Sequence, residues 1–312
     1  GAGYMTPRTY TIPAKLVKAG KAVLAVRVSD FGGEGGIHGK AEDLYVEADG
    51  KRISLAGDWK YRIGLSLTGF PPISPVQSSS YPTVLFNAMV KPWTAFPIKG
   101  VIWYQGEANV GRSEQYGDLF PALITDWRRQ WRSDFPFYFV QLANFMESKK
   151  IQPDSEWAAL REAQTKALKL DQVGMAVTID IGLADDIHPK NKQEVGRRLA
   201  LVALAGSYGK NVSSSAPVFQ NYIIKGNKME LDFGQKQDGF QIKGTTLKGF
   251  TIAGPDRVFY PAEAMVHDGK IILSSTEVPA PLAARYGWAD NPDCNLYGEN
   301  GLPVAPFRTD CW

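Results

Sequence analysis

The spacing of apolar residues divides the 312-residue chain into three stretches. In the first, short runs such as KAVLAVRVSD, EDLYVEADGKRISLAG and DWKYRIG alternate apolar and polar residues, and ADGK has the composition of a hairpin turn. A period of two is typical of half-buried β-strands. Residues 1–66 are therefore predicted to form part of a β-sandwich.

The second stretch, residues 67–208, alternates buried strands with helices. The runs GVIWY, FPFYFVQLA and GMAVTIDIG are continuously apolar, as in strands covered on both faces. Apolar residues recur at helical spacing from Tyr116 to Trp131, and Ser155 is placed to cap a second helix through the backbone of Ala158. This order predicts an α/β fold in which helices flank a parallel sheet.

The two-residue alternation returns in the third stretch, in NKMELDF, GFQIKG, KGFTIAG and AEAMVHDGKIILSS, with turns at KGNK and HDGK. It predicts an all-β domain, a carboxyl-terminal β-sandwich, over residues 209–312. The ending is rich in turns and aromatic residues, and we expect it to pack back on the core.

Composition narrows the function classes. With 35 basic and 32 acidic residues the formal charge is only +3, which argues against a nucleic-acid partner. The longest apolar runs are shorter than the roughly 18 residues of a membrane span. The first residues lack the parts of a secretory signal, and a strand pattern is already under way, so we expect an upstream segment. Cys294 and Cys311 leave a disulfide and two free thiols equally open.

Polar residues follow the first predicted parallel strand where it ends. They are Gln105, Gly106, Glu107 and Asn109. Ligands of open α/β sheets bind beyond the carboxyl ends of the strands, and amides in such a turn can donate to a developing oxyanion. The alternative is that Glu107 and Asn109 are ordinary turn and cap residues.

A second polar group, ADDIHPKNK, follows the third strand and precedes a helix expected to open at Pro189. Asp185 precedes His188 by three residues, so its carboxylate can fold back and accept from Nδ1–H. Nε2 would then be free to take a proton from a serine or a water. Spacing alone does not exclude the alternative that Asp185 and His188 are ordinary residues at the start of a helix.

A metal site is a further alternative for the same loop, built from Asp180, Asp185, Asp186 and His188. We expect Asp180 inside a strand and find no second histidine nearby, so a metal phosphoesterase ranks last and no metal or cofactor is expected. The remaining histidines, His38 and His267, are expected to be solvated in a glycine-rich loop and at a hairpin turn.

Several ordered segments resemble one known family. They are IKGVIWYQGEANV, YGDLFPALITDWRRQW, WAALREAQ, DIHPKNKQEVGRRLA and YGWADNPDCNLYGENGLPVAPFRTD. Together they resemble the sialate O-acetylesterase family of the SGNH-hydrolase superfamily. VRVSDFGGEGGIHGKAEDLYVE and LAGDWKYRIG also resemble the β-sandwich inserted into that family's catalytic domain.

The resemblance implies a metal-independent serine esterase that removes O-acetyl groups from sugars, typically sialic acid. It implies that His188 is the general base and Asp185 its partner, with Gln105 the first and Asn109 the second choice of oxyanion donor. A sialate carboxylate would need an arginine, for which Arg112 and Arg161 are candidates. The aromatic residues Trp103, Tyr104 and Trp157 could stack on sugars, although such positions are more often core.

The chain departs from the family in that two blocks are absent, the GQSN-like block with the nucleophilic serine and the glycine-containing oxyanion block that follows it. Ser78, Ser79 and Ser80 lie in a linker-like stretch, so none of them is assigned as nucleophile. We expect this chain to begin inside the inserted domain. Either an amino-terminal fragment of the same protein completes the site, or the chain is truncated and inactive. The fragment is favoured because the incomplete sheet would expose an unpaired edge.

Other functions stay open at this point. An acetylesterase for xylan or another plant polysaccharide shares the QGE and DxxH elements, and a carbohydrate-binding fragment without catalysis would also lack the serine. The family resemblance favours a periplasmic or secreted location. The sequon at Asn211 would be an acceptor only in a eukaryotic secretory route.

Overall fold

The computed structural model of the chain describes residues 7–28, 36–37, 39–62, 81–234 and 239–312. These residues fall into two compact units, Gly1–Thr94 and Ala95–Trp312. His38 and the three serines at 78–80 lie outside the described residues. The division into domains at residues 66 and 208 stays a prediction.

The described part of the first unit contains one β-hairpin, in which β1 (Tyr45–Ala48) pairs antiparallel with β2 (Lys51–Ser54). Asp49 and Gly50 connect the strands with φ values of 50° and 73°, as a two-residue hairpin turn with two left-handed positions requires. The predicted ADGK turn is confirmed. A π-helical turn (Phe86–Val90) and a 3-10 turn (Lys91–Trp93) follow in the same unit.

The predicted strand KAVLAVRVSD is wrong over its described part. Residues 21–28 have no strand structure, and Val23 is 88% exposed. An alternating run forms a strand only when a neighbour pairs with its backbone, and no strand pairs with this run in the described part of the unit. The described residues of DWKYRIG, 58–62, also form no strand.

The second unit begins with the predicted parallel sheet. Its strands, in the order β3-β4-β5, are β3 (Val101–Trp103), β4 (Phe137–Val140) and β5 (Val173–Ala176). Both pairings are parallel, so all three carboxyl ends lie at one edge. All four residues of the central strand are buried, as its continuous apolar run predicts.

Three helices flank this sheet: α1 (Ser113–Trp131), α2 (Glu156–Thr165) and α3 (Lys192–Gly206). α1 and α2 bury Tyr116, Phe120 and Leu160 in one apolar cluster with β4. The Ser155 side chain accepts from Ala158 N at 3.0 Å, which confirms the predicted cap. Helix α3 does not open at Pro189, because Asn191 is the cap and accepts from Glu194 N at 3.1 Å.

Asp180 is not in a strand, which corrects the expectation that it would lie inside one. The strand β5 ends at Ala176, and residues 179–180 form a turn. The carbonyl of Val177 no longer belongs to the sheet, because it accepts a hydrogen bond from Arg198 Nη1 at 2.7 Å.

The rest of this unit is antiparallel β structure. One four-stranded sheet has the order β11-β12-β7-β6 and a second has the order β10-β9-β13-β15, while β14 pairs with β8. The strands are β6 (Asn221–Lys225), β7 (Lys228–Asp232), β8 (Phe240–Ile242), β9 (Phe250–Ala253), β10 (Phe259–Pro261), β11 (Glu263–His267), β12 (Lys270–Ser274), β13 (Ala283–Tyr286), β14 (Leu296–Gly298) and β15 (Phe307–Arg308). Residues from both four-stranded sheets, such as Leu231 and Ile252, share one apolar core.

The turns at KGNK and HDGK are confirmed, since β6–β7 and β11–β12 are hairpins across them. The predicted return of the ending to the core is also confirmed. Phe145 N donates to Asp290 O at 3.1 Å, and the guanidinium of Arg308 binds the Glu162 carboxylate of α2 with two bonds of 2.9 and 2.8 Å.

Candidate functional site

The turn after β3 is built around an unusual glycine. Gly106 has φ 153° and ψ −20°, and a Cβ there would lie 3.2 Å from Gln164 Nε2 and 3.4 Å from Leu160 Cδ2. Only glycine fits this conformation and this space. The turn continues as one 3-10 turn, Glu107–Asn109, in which Asn109 N donates to Gly106 O at 2.8 Å.

Two of the predicted site residues are hydrogen-bonded to each other in this turn. Gln105 Nε2 donates to Asn109 Oδ1 at 2.7 Å, while Gln105 Oε1 accepts from the Tyr116 hydroxyl at 3.2 Å. The backbone carbonyl of Gln105 also accepts from that hydroxyl, at 3.3 Å, and from Gln164 Nε2, at 3.2 Å. The amides therefore have a fixed arrangement before any ligand binds.

The pKa of Tyr104, next to the turn, is affected by burial and by the Glu107 carboxylate within the turn. Burial raises the pKa of Tyr104 to about 12, and the nearby Glu107 carboxylate adds to the rise. Tyr104 therefore stays neutral at neutral pH. Its ring lies 4.7 Å from Lys192 Nζ, so the first residue of α3 contacts the residue before the turn. The loops after β3 and β5 are thereby connected.

The loop after β5 is fixed at its beginning by the loop after β4. Gly182 N donates to Asn144 Oδ1 at 2.7 Å, and Phe145 and Leu183 form an isolated parallel bridge. A Cβ on Gly182 would overlap the Asn144 carbonyl oxygen. This close approach places the chain that leads to Asp185 at the carboxyl edge of the sheet.

Beyond this point the loop is exposed, and Asp186 is the carboxylate beside His188. Asp186 Oδ1 accepts from His188 N at 2.9 Å and lies 3.6 Å from His188 Nδ1. The imidazole is 84% exposed. No hydrogen bond joins Asp185 to His188 in the described structure, so the bond expected from their spacing is not formed there.

The two candidate arginines differ in their exposure to solvent. Arg112 is exposed, and its Nη2 donates to Ala108 O in the turn at 2.9 Å. Arg161 is 0% exposed and donates to four backbone carbonyl oxygens at 2.7–2.9 Å, those of Leu142, Ala143, Ala289 and Asp290. Burial lowers the pKa of Arg161 to about 9. This location corrects the expectation of a cleft arginine, since Arg161 joins α2 to the ending in the interior.

Asp180 also has an interior role. Arg198 binds its carboxylate with bonds of 2.6 and 2.9 Å, and the Tyr297 hydroxyl donates to it at 3.1 Å. Within the described ranges, no group of three or more His, Cys, Asp or Glu side chains is arranged to hold a metal ion. None of the described helices is long and apolar enough to cross a bilayer.

Trp157, the candidate for sugar stacking in α2, is 4% exposed and donates from Nε1 to Ala143 O at 2.7 Å. It belongs to the apolar cluster, as do Trp103 and Tyr104 at its border. Both cysteines are free, and burial raises the pKa of Cys294 to about 12.

A cavity of about 420 Å³ lies elsewhere in the second unit, between residues 148–153 and the carboxyl-terminal strands. Its lining includes Lys248 and Arg285, which are paired with Asp293 and Asp310. No predicted site residue lines this cavity. The two loops at the carboxyl edge of the sheet, with the His188 imidazole and the side-chain amides of Gln105 and Asn109, are therefore the candidate site.

Sequence reasoning missed Gln164, Tyr116 and Asn144. Gln164 occupies a core-facing position of α2, seven residues after Trp157 and four after Leu160. A polar residue in such an apolar stripe signals a buried hydrogen-bonding role, and it could have been found from that signal. Tyr116 was assigned only as an apolar helix position, and its hydroxyl was overlooked.

Comparisons with known proteins point to one family. The family model described as carbohydrate esterase, sialic acid-specific acetylesterase, matches residues 73–205, which include both loops. A crystal structure of a carbohydrate acetylesterase from Xanthomonas citri superposes with a TM-score of 0.71 at 46% identity, over 74% of this chain and 55% of that one. The chain belongs to the sialate O-acetylesterase family. The resemblance expected from the sequence is confirmed.

Curated members of the sialate O-acetylesterase family extend further than this chain. The protein of that name from Pongo abelii is 32% identical and the one from Homo sapiens 31%, each over 274 residues and 78% of this chain. The matches cover 52% of each of them, so the chain spans about half the length of the curated relatives it matches.

Proposed function

We propose that this chain supplies the acid-base and oxyanion half of a carbohydrate esterase that hydrolyses O-acetyl esters on sugars. One observation carries the proposal. The amide turn after β3 and the loop with Asp185 and His188 after β5 lie at the same carboxyl edge of one parallel sheet. This is where open α/β sheets bind ligands. We assign the sheet to the carboxyl-terminal part of an SGNH-type catalytic domain, accompanied by a β-sandwich on either side.

The polarity of the amide network supports Asn109 as an oxyanion donor. Its Oδ1 accepts from Gln105 Nε2, so its Nδ2 is on the opposite side of the amide and has no partner among the described residues. Two N–H groups are thus left to a developing oxyanion, and Gln105 has one more N–H to offer. We assign Asn109 as the principal side-chain donor and Gln105 as the residue that fixes it, which reverses the order expected from the sequence.

His188 acts as the general base in this proposal. Its Nε2 takes the proton of a serine hydroxyl as Oγ attacks the acetyl carbonyl, and returns the proton to the sugar oxygen as that oxygen leaves. Water then repeats the sequence on the acetyl-serine and releases acetate. We keep Asp185 as the residue that orients the imidazole. His188 is exposed, and a bound partner segment or substrate would cover it.

The serine would come from an amino-terminal segment of the same protein outside these 312 residues. The edge of the sheet supports this step, because β3 pairs only with β4 in the described structure and Ile102 of β3 is 70% exposed. An apolar edge strand with unpaired backbone groups is where a further strand can add. Such a strand would end at the same edge as His188.

The substrate would be an acetylated sugar, first of all O-acetylated sialic acid, the substrate named by the curated relatives. Arg112 is the cation placed for its carboxylate, because it is exposed and fixed to the turn. Acetylated xylan is the alternative, since the similar crystal structure is described only as a carbohydrate acetylesterase. We place the protein in the periplasm or outside the cell, without a nucleic-acid or membrane partner.

The test is acetate release by the complete protein, which is this chain together with the serine-bearing segment. We expect hydrolysis of an aryl acetate, an acetyl-serine trapped by rapid quenching and mass spectrometry, and faster turnover of 9-O-acetyl sialic acid than of acetylated xylan. The 312-residue chain alone should release no acetate above background. Turnover by this chain alone would refute the external serine, and the reverse substrate preference would assign the enzyme to xylan.

A further inference from the structure

We propose that Gln164 is a positioning residue of the esterase site, one that sets the amide turn without touching the substrate. The proposal rests on the proposed function. Gln164 lies near the end of α2 and is 0% exposed. A polar side chain at such a depth has to satisfy its hydrogen-bonding groups inside the protein.

The amide of Gln164 connects the ends of two strands. Its Nε2 donates to the carbonyl of Gln105 beyond β3, at 3.2 Å, and to that of Val140, the last residue of β4, at 3.3 Å. Its Oε1 accepts from Leu142 N at 2.9 Å. Only a side-chain amide provides two donors and an acceptor in this arrangement. A glutamate would present acceptors to both carbonyl oxygens.

The turn also rests directly on this amide. A Cβ on Gly106 would lie 3.2 Å from Gln164 Nε2, so the backbone of the turn packs closely against the amide. On its other side the same Gln105 carbonyl is bound by the Tyr116 hydroxyl. The carbonyl is therefore held from two helices, α1 and α2, and a shift of Gln164 moves the turn.

Positioning matters here because Gln105 directs Asn109. The bond of 2.7 Å between them transmits the position of the Gln105 backbone to the proposed oxyanion donor. A donor displaced by about 1 Å from a developing oxyanion costs on the order of 10²-fold in rate. Gln164 thus acts on the reaction through two residues and should affect the chemical step more than binding.

Gln164→Met tests this proposal, with Gln141→Met as its control. Both are buried amides between β4 and α2, but Gln141 donates to Arg161 O at 3.2 Å, and no hydrogen bond joins its side chain to the turn in the described structure. In the complete protein we expect Gln164→Met to lower kcat for an aryl acetate by about 10–100-fold with KM within about twofold. Gln141→Met should lower the Tm while keeping kcat within about threefold.

Hydrogen exchange separates positioning from a loss of stability. Well below the Tm, the peptide that contains Gln105 and Gly106 should exchange faster in Gln164→Met and unchanged in Gln141→Met. If Gln164→Met does not fold, Gln164→Asn keeps an amide that is too short to reach both strands, and the same two effects are expected.

An unchanged kcat in an active protein, or unchanged exchange in the turn, would overturn the positioning role. A kcat loss of equal size in Gln141→Met would also overturn it, since the effect would then be general. Failure of the parent protein to hydrolyse any acetyl ester would refute the proposed function instead, and the exchange experiment would still decide whether Gln164 holds the turn.

Discussion

The two loops that carry the candidate site are held to very different degrees. In the turn after β3, Gln105 is bonded through its carbonyl, its Oε1 and its Nε2, and Gly106 is packed against α2. In the loop after β5, His188 is 84% exposed, and its Nδ1 lies 3.6 Å from Asp186 Oδ1. The turn after β3 is thus held by several contacts, while the imidazole in the loop after β5 is exposed.

This difference indicates which part of the proposed site would need the nucleophile-bearing segment or the substrate to complete its geometry. Donors to an oxyanion work best when they are fixed before the reaction. A general base must also be oriented, but its nucleophile and substrate can complete that orientation, and catalytic hydrogen bonds are often long before they bind. We therefore expect changes in the turn to affect folding and catalysis together, and changes in the exposed loop to affect catalysis alone.

The largest expected effect is that of His188→Ala in the complete protein. Removal of the general base should lower kcat for an aryl acetate by about 10³-fold or more, because Nε2 no longer accepts the serine proton. His267→Ala is the matched control, since His267 is also exposed and lies 3.4 Å from a neighbouring aspartate, Asp268. The Tm should be unchanged in both. Equal acetate release by the two variants would remove His188 from the mechanism.

The second-largest expected effect concerns which carboxylate, that of Asp185 or that of Asp186, orients the His188 imidazole. We expect Asp185→Asn to lower kcat by about 10²–10³-fold, because the imidazole loses its orienting acceptor, and Asp186→Asn to lower it by less than about tenfold. Steady-state kinetics of both variants decides the question. A larger loss in Asp186→Asn would transfer the orienting role to the carboxylate that lies nearest to Nδ1 in this structure.

Gly106→Ala should disrupt the turn after β3, which is the more firmly held of the two loops. A Cβ at φ 153° and 3.2 Å from Gln164 Nε2 is expected to destabilise the fold by about 1–3 kcal/mol, with loss of kcat. Gly196→Ala in the exposed part of α3 is the control, because a Cβ there meets nothing within 4 Å. It should stabilise by about 0.5–1 kcal/mol. Chemical denaturation of both variants measures the difference, and a neutral Gly106→Ala would contradict the strain.

The smallest expected effect concerns pH and the helix behind the exposed loop. Hydrogen bonds from Arg197 and then Arg198 lower the pKa of Glu194 from 4.5 to about 2. The pKa is depressed in the folded state, so its contribution to stability is present above pH 4.5 and is lost as the pH falls towards 2. Glu194→Gln should flatten the pH dependence of the Tm in that window. An unchanged slope would show that the arginines contribute little.

The sequence predicted those parts of the fold that follow from local chemistry. The hairpin turns at 48–51 and 267–270 need left-handed positions, which Asp-Gly pairs provide, and the three apolar runs became the parallel strands. Residues 21–28 were predicted wrongly because pairing depends on a neighbour that the run itself does not encode. The end of β5 was misplaced because Arg198, 21 residues later, takes the Val177 carbonyl.

The sequence predicted the two loops of the candidate site but not the residues that hold these loops in place. Gln105 and Asn109 were recognised from their place after a strand, and the structure joins them by a hydrogen bond. Helical spacing marks Gln164 as a buried polar residue, but the partners of Gln164 and Asn144 could not be read from spacing, since they lie 59 and 38 residues away. Which of the two carboxylates, Asp185 or Asp186, lies beside His188 depends on how their side chains are oriented. The sequence of two neighbouring aspartates does not determine this.

The buried guanidinium of Arg161 has a consequence for how the protein is made. Two of its four carbonyl partners, Ala289 and Asp290, follow it by 128 and 129 residues. During synthesis the strands and helices of the α/β part leave the ribosome long before these partners do, and such distant contacts form late because a long loop must close first. In the nascent chain the Arg161 guanidinium therefore lacks two of its four carbonyl partners until Ala289 and Asp290 have been synthesised.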